Sequence, residues 1–185
     1  VQTKLVDDAR HGDREAFGVL AGASVDRLYA IARLILRDTE LAEDATQDAL
    51  IRAWRDLPTL RDVERFDAWL YRLLVRSCTD IARRRRKWRA ELTIVSHEPA
   101  EPDRASELAD RDELERGLRR LNDAQRSILV LTFYVGLPPS EVADALDIPV
   151  GTAKSRLHYA IEALRAALAA DARSVGSADR EGRTA

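Results

Sequence analysis

Apolar residues recur along this chain with the period of an amphipathic helix, and no stretch shows the strict alternation of a half-buried strand. Leu5, Ala9, Phe17 and Leu20 predict a first helix, broken near Gly12. Val25, Leu28, Tyr29, Ala32, Ile35 and Leu36 give a second with a clean stripe. Asp38 and Thr39 can cap a third, with Glu40, Glu43 and Asp44 near its positive end, and it should stop before Pro58. A loop over 57–63 leads to a long fourth helix that turns Phe66, Leu70, Leu73, Leu74, Ser77 and Ile81 inward.

The second half repeats the helical signal. Leu114, Leu118 and Leu121 mark one helix. Asn122 and Gln125 have the spacing of a capping box that opens the next, with Ile128, Leu129, Leu131, Thr132 and Tyr134 as its apolar face and Gly136 as its left-handed stop. Residues 139–146 and 150–169 then read as two helices separated by Asp147–Ile148–Pro149, the dimensions of a helix-turn-helix, with Val142, Ala143, Leu146, Ile148, Ala153 and Leu157 in contact.

Charge divides the chain further. The total of 30 Lys and Arg against 32 Asp and Glu is nearly neutral, but residues 1–89 carry 18 basic and 15 acidic side chains, and residues 90–115 carry two against nine. Residues 116–170 are again mildly basic. Local sign, not the total, decides what a polyanion would meet. The acidic stretch holds Pro99 and Pro102 and no sustained period, so it reads as a linker. The expected organisation is all-α: a helical domain at 1–89, a flexible acidic linker at 90–112, a helix-turn-helix domain at 113–170 and a disordered tail at 171–185. No apolar run is long enough for a membrane span, and the charged start lacks a secretory h-region, so a cytoplasmic protein without membrane insertion is expected.

Three groups of residues carry candidate chemistry. On the last helix Ala153, Leu157, Ile161 and Leu164 face inward, leaving Lys154, Ser155, His158, Tyr159 and Glu162 outward. Gly151 and Thr152 leave backbone donors at the helix N-terminus for a DNA phosphate, while Lys154, Ser155 and Arg156 can reach phosphates or base edges. An ordinary amphipathic surface helix would also fit, but the short helix and turn before it favour DNA contact. The string GTAKS is no phosphate-binding loop, because Ala153 stands where that motif needs Gly and no strand precedes it. In the fourth helix Arg65, Trp69, Arg72, Arg76 and Arg83 fall near one stripe, followed by Arg84, Arg85, Arg86, Lys87 and Arg89 around Trp88. Such a stripe suits a phosphate backbone and unstacked bases; a solvated face ending in a flexible basic tip fits equally. Asp44, Gln47, Asp48, Ile51, Arg52 and Arg55 line the outer side of the third helix, opposite a seam of Ala42, Ala45, Ala49 and Ala53; a salt-bridged surface and a protein-docking face remain alternatives. Cys78 reads as core, His11, His97 and His158 lack metal-ligand spacing, and no nucleophile, metal or cofactor motif argues for an enzyme.

The motifs in series resemble a bacterial extracytoplasmic-function (ECF, group 4) sigma factor. AEDATQDALIRAW (42–54) resembles region 2.2, FDAWLYRLLVRSCTDIARRRRK (66–87) regions 2.3 and 2.4, and residues 121–168 regions 4.1 and 4.2, about 150 residues in the family's order. The resemblance implies a factor that binds RNA polymerase core enzyme and promoter DNA, uses no cofactor, and commonly has an anti-sigma partner, although no residue here identifies one. It implies core-polymerase contacts at Asp44, Gln47, Asp48, Ile51 and Arg52. The loop over 56–65, Arg61 included, would capture a flipped base of the −10 element, and Arg65, Trp69, Arg72, Arg76, Arg83 and Arg84 would hold the melted strand and upstream duplex. Gly151, Thr152, Lys154, Ser155, Arg156, His158 and Tyr159 would meet the −35 element. The chain departs from the family pattern at Val75–Arg76, where Arg-Asn is frequent, at Pro138 in place of a Ser cap, and at Tyr159 in place of Arg.

Two other functions use the same helices: a repressor or activator that binds an operator alone, and a two-domain protein acting mainly as a sequestered interaction partner. The first lacks a dimerisation seam and leaves residues 1–89 without a task. A requirement for core polymerase in DNA binding separates them.

Overall fold

A computed structural model describes residues 2–93, 114 and 116–181, with only the backbone described for residues 89–93 and 171–181. Every regular element among them is helical. The first helix, α1 (Gln2–Arg10), ends where Gly12 takes a positive φ of 100°, a turn that glycine adopts without strain. Asp13 then caps α2 (Arg14–Leu36), accepting from the backbone N–H groups of Glu15 and Ala16. The break near Gly12 is where the sequence puts it, but Phe17 and Leu20 belong to the same helix as the Leu28–Ile35 stripe. Gly18 and Gly22 stand within this helix without breaking it, so the two expected elements are one.

Asp38 caps α3 (Thr39–Asp56) through the N–H of Leu41, and Pro58 follows its end in a short 3-10 turn. A second 3-10 turn over Val63–Arg65 feeds α4 (Phe66–Thr93). The Ala42, Ala45, Ala49 and Ala53 seam is fully buried, which lets α3 lie close to α4 and α2. Leu28, Ile31, Ile35, Leu70 and Leu74 fill the centre of this block. Helix α4 runs through the expected boundary at 89, so residues 90–93 are helix and not linker; the rest of that stretch lies outside the described residues except Leu114.

In the second block, residues 116–119 are helical and send Leu118 inward; Leu121 follows it, and Leu114 stays exposed. Asn122 and Gln125 make the full capping box of α5 (Asp123–Leu129). That helix continues as a π-turn over Val130–Tyr134 and stops at Gly136, with φ 78°. The wider π spacing rotates Tyr134 outward, so it is exposed where a regular helix would have buried it. Helices α6 (Pro139–Leu146) and α7 (Val150–Glu181) form the helix-turn-helix. Asp147 takes the left-handed cap between them at φ 56°, and the N–H of Ile148 donates to the Ala143 carbonyl. Extension of α7 to Glu181 overturns the expected disorder of residues 171–181. Adding residues to a nucleated helix is far easier than starting one, and the Ala, Arg and Glu there are good formers.

The two blocks dock. Arg126 on α5 is almost fully buried, and its Nε donates to the Ile35 carbonyl at the end of α2, 2.6 Å away. The same guanidinium donates to the Leu118 and Leu121 carbonyls and pairs with Asp123. Burial pushes its pKa down, and Asp123 partly restores it.

Candidate nucleic-acid interface

One cationic face is built on α4 and the turn before it. Three and four residues apart on a helix point the same way, so Arg65, Trp69, Arg72 and Arg76 share a side. Trp69 is half-buried beside Phe66, ring centres 6.0 Å apart. A cleft of about 270 Å³ opens under it, lined by Leu60, Arg61, Asp62, Arg65, Ala68, Trp69, Arg72 and Asp144. It is close to the ~300 Å³ lower end of small-molecule sites. Arg61 is exposed at its rim. Further along α4, Arg83 pairs with Asp80 at 3.3 Å and Arg84 Nε donates to the Asp80 carbonyl at 3.4 Å.

The basic run does not act as one group. Arg85 reaches Asp38 at 2.8 Å and Arg86 pairs with Asp123, so these two serve the fold, and all of the run sits on a continuous helix.

The second face lies on α7. Lys154, Ser155, Arg156, His158 and Tyr159 are exposed, Gly151 is exposed and Thr152 half-buried, and Ala153, Ala160 and Ala167 are the buried stripe. The first-turn N–H groups lack intrahelical acceptors by construction. Ser155 Oγ donates back to the Gly151 carbonyl at 2.8 Å, and the His158 and Tyr159 rings meet edge-on at 5.7 Å. The two faces are held on one body by the docking of the blocks.

On α3, Asp44, Gln47 and Ile51 are exposed, Ile51 at 65%. Asp48 and Arg52 are half-buried and paired at 2.9 Å, and Arg52 also donates to Asp80 at 3.2 Å. They brace α3 against α4, which leaves the first three as the outward patch.

Sequence reasoning did not single out Arg126, nor Asp144 and Asp147. The last two stand on the helix-turn-helix yet contact α4: the Arg65 guanidinium pairs with Asp144, Arg72 Nε donates to the Asp144 carbonyl at 2.6 Å, and Arg76 donates to Asp147 at 2.9 Å. Docking between blocks has no periodicity, so no pattern in the chain announces it.

Comparison with known proteins fits this two-block design. The family profile described as Sigma-70 region 2 matches residues 20–89, and that described as Sigma-70, region 4 matches residues 117–166. The RNA polymerase sigma-H factor of Pseudomonas aeruginosa is 30% identical over 178 residues, 89% of this chain and 92% of that protein. The chain belongs to the ECF sigma-factor family. The ECF RNA polymerase sigma factor SigW of Bacillus subtilis is 29% identical to this sigma factor, covering 88% of it and 94% of the relative. Among solved structures, CnrH in complex with the cytosolic domain of CnrY aligns with a TM-score of 0.66 at 29% identity, over 92% of this chain and 98% of that one. As a member of the family, this sigma factor binds RNA polymerase core enzyme and directs promoter-specific initiation through −10 and −35 elements. Among the described residues no helix is long and apolar enough to cross a membrane.

Proposed function

We propose a division of labour among the surfaces of this sigma factor. Residues 1–89 engage the polymerase and the −10 element, and residues 113–170, joined to them by the stretch that follows α4, read the −35 element. On α3, Asp44, Gln47 and Ile51 dock on the polymerase, with Asp48 and Arg52 holding the helix in place. The cleft at Arg61, Arg65 and Trp69 takes an unstacked base, and Arg72, Arg76, Arg83 and Arg84 follow the phosphates of the opened strand. The observation that carries the reading is the cleft under Trp69 with guanidinium groups on its rim: aromatic surface for a base, cations for its backbone. On α7, Gly151 and Thr152 offer N–H groups to a phosphate, and Lys154, Ser155, Arg156, His158 and Tyr159 enter the major groove. The factor works in the cytoplasm and catalyses no reaction itself. It has a protein partner of the anti-sigma type; the 29%-identical relative was solved with the cytosolic domain of CnrY bound.

Run-off transcription with core polymerase on the DNA upstream of this gene tests the division. Arg83→Ala with Arg84→Ala should lower open-complex formation at all promoters alike, because phosphates carry no sequence. Lys154→Ala should weaken use of the −35 element by ~1–3 kcal/mol if it meets a base edge. Loss of −10 preference in the Lys154 variant, with −35 preference intact, would overturn the assignment.

A further inference from the structure

A groove of about 410 Å³ runs between α1 and α2 and is built wholly from the first block. That volume is above the ~300 Å³ at which small-molecule sites begin. Leu5, Val19, Leu20 and Ala23 form its apolar wall, and Val19 is 54% exposed although it is a large apolar side chain. The groove stays open because Ala23 and Ser24 are too short to fill it. Ser24 is only 4% exposed, and its hydroxyl has no hydrogen-bond partner among the described residues. Left so, a buried hydroxyl costs stability that a ligand could restore. Beside it Arg27 donates to an Asp67 carboxylate oxygen at 3.0 Å, and the Gln2 amide donates to the same oxygen at 3.3 Å. Cation and anion cancel there, while the second Asp67 oxygen can still accept and further guanidinium N–H groups can still donate.

We propose that this groove binds a small neutral amphiphile with an amide head and an alkyl tail. The head carbonyl accepts from the Ser24 hydroxyl and the Arg27 guanidinium, and the head N–H donates to Asp67. The tail lies along Leu5, Leu20 and Val19. Val19 and Arg27 are eight residues apart on α2, ~12 Å along the axis, which sets the length of the molecule. A charged head would meet one attraction and one repulsion at the Arg27–Asp67 pair and would lose its water as well, so neutrality is selected. Asp67 stands between Arg65 and Ala68, which line the cleft under Trp69, so the ligand touches the turn that presents that cleft.

Titration of the full chain with octanamide, octanoate and octylammonium, followed by nitrogen–proton NMR, tests the site, because the three probes share a tail and differ only in head charge. Octanamide should shift the backbone signals of Ala23, Ser24 and Arg27 with a Kd of ~1 mM, ordinary for so few atoms. Octanoate and octylammonium should bind at least about tenfold more weakly, in keeping with the cost of desolvating a charge. Ser24→Ala keeps the groove and removes the hydroxyl, and should weaken octanamide about fivefold, within the usual worth of one hydrogen bond. Ala23→Leu should abolish binding by filling the groove; the position is exposed and Leu is a good helix former, so the fold should hold. Should circular dichroism show that variant unfolded, Val19→Ser at the exposed rim should still weaken the amide and leave the helical signal unchanged. Equal binding of the three probes would overturn the proposal and leave only a greasy surface. Absence of shifts at Ala23, Ser24 and Arg27 with millimolar octanamide would overturn it too, as would a Ser24→Ala chain that binds as the unaltered one does.

Discussion

Cys78 lies in α4 with almost no exposure, and burial together with the nearby Asp123 charge pushes its thiol up to about 12. Thiol reagents should therefore react with the folded chain at pH 8 only at the rate of unfolding, which absorbance of released thiolate reports. The pH dependence of stability follows in sign. The unfolded thiol ionises near ~8.5 and the folded one stays protonated, so its contribution is full below ~8.5 and is lost as pH rises toward 12, by ~1.4 kcal/mol per unit. Cys78→Ala should remove that part of the alkaline slope in urea unfolding. Arg126 is the opposite case, a buried charge whose loss would strand three carbonyl groups and Asp123. Arg126→Ala should cost roughly 2–4 kcal/mol in the same assay.

At the scale of elements, the α3 seam is the sharpest test of packing. Ala49 has no exposure, so Ala49→Leu should lower stability by ~1–3 kcal/mol through overpacking, measured by thermal unfolding. The seam, the Asn122–Gln125 box, the Asp38 cap and the turn between α6 and α7 were all legible, because each rests on interactions within a few residues or on one periodic face. Signals of another kind were not. Tyr134 looks inward only if the helix keeps a regular pitch, and nothing in VLTFY marks the wider turn. Likewise the length of α7 depends on propagation from a stable core, which the small and polar composition of residues 171–181 conceals.

Across the whole molecule, the same division explains why the candidate surfaces could be named but not their relations. Arginine spacing on α4 places the cationic face; only the docked structure shows Asp144 and Asp147 opposite it, 71 to 79 positions away in sequence along separate helices. Two kinds of contact hold the blocks together, and they differ in their response to salt. Exposed pairs on α4 weaken as the Debye length shrinks from ~10 Å at 0.1 M to ~3 Å at 1 M, whereas the buried Arg126 bonds are screened much less. Small-angle scattering should give a radius of gyration near the compact value of about 16 Å for this length in low salt. High salt should expand the Arg126→Ala chain more than the unaltered one.

Asp147 has two jobs at one position: its left-handed backbone sets the turn of the helix-turn-helix, and its carboxylate holds Arg76. Asn can meet the backbone requirement without the charge, and an Asp codon becomes an Asn codon by a single base change. A lineage could thus lose the Arg76 pairing and keep the turn in one mutational step. Replacement by a β-branched residue would instead strain the turn and disturb both jobs, so divergence at this position should be channelled toward Asn and Gly.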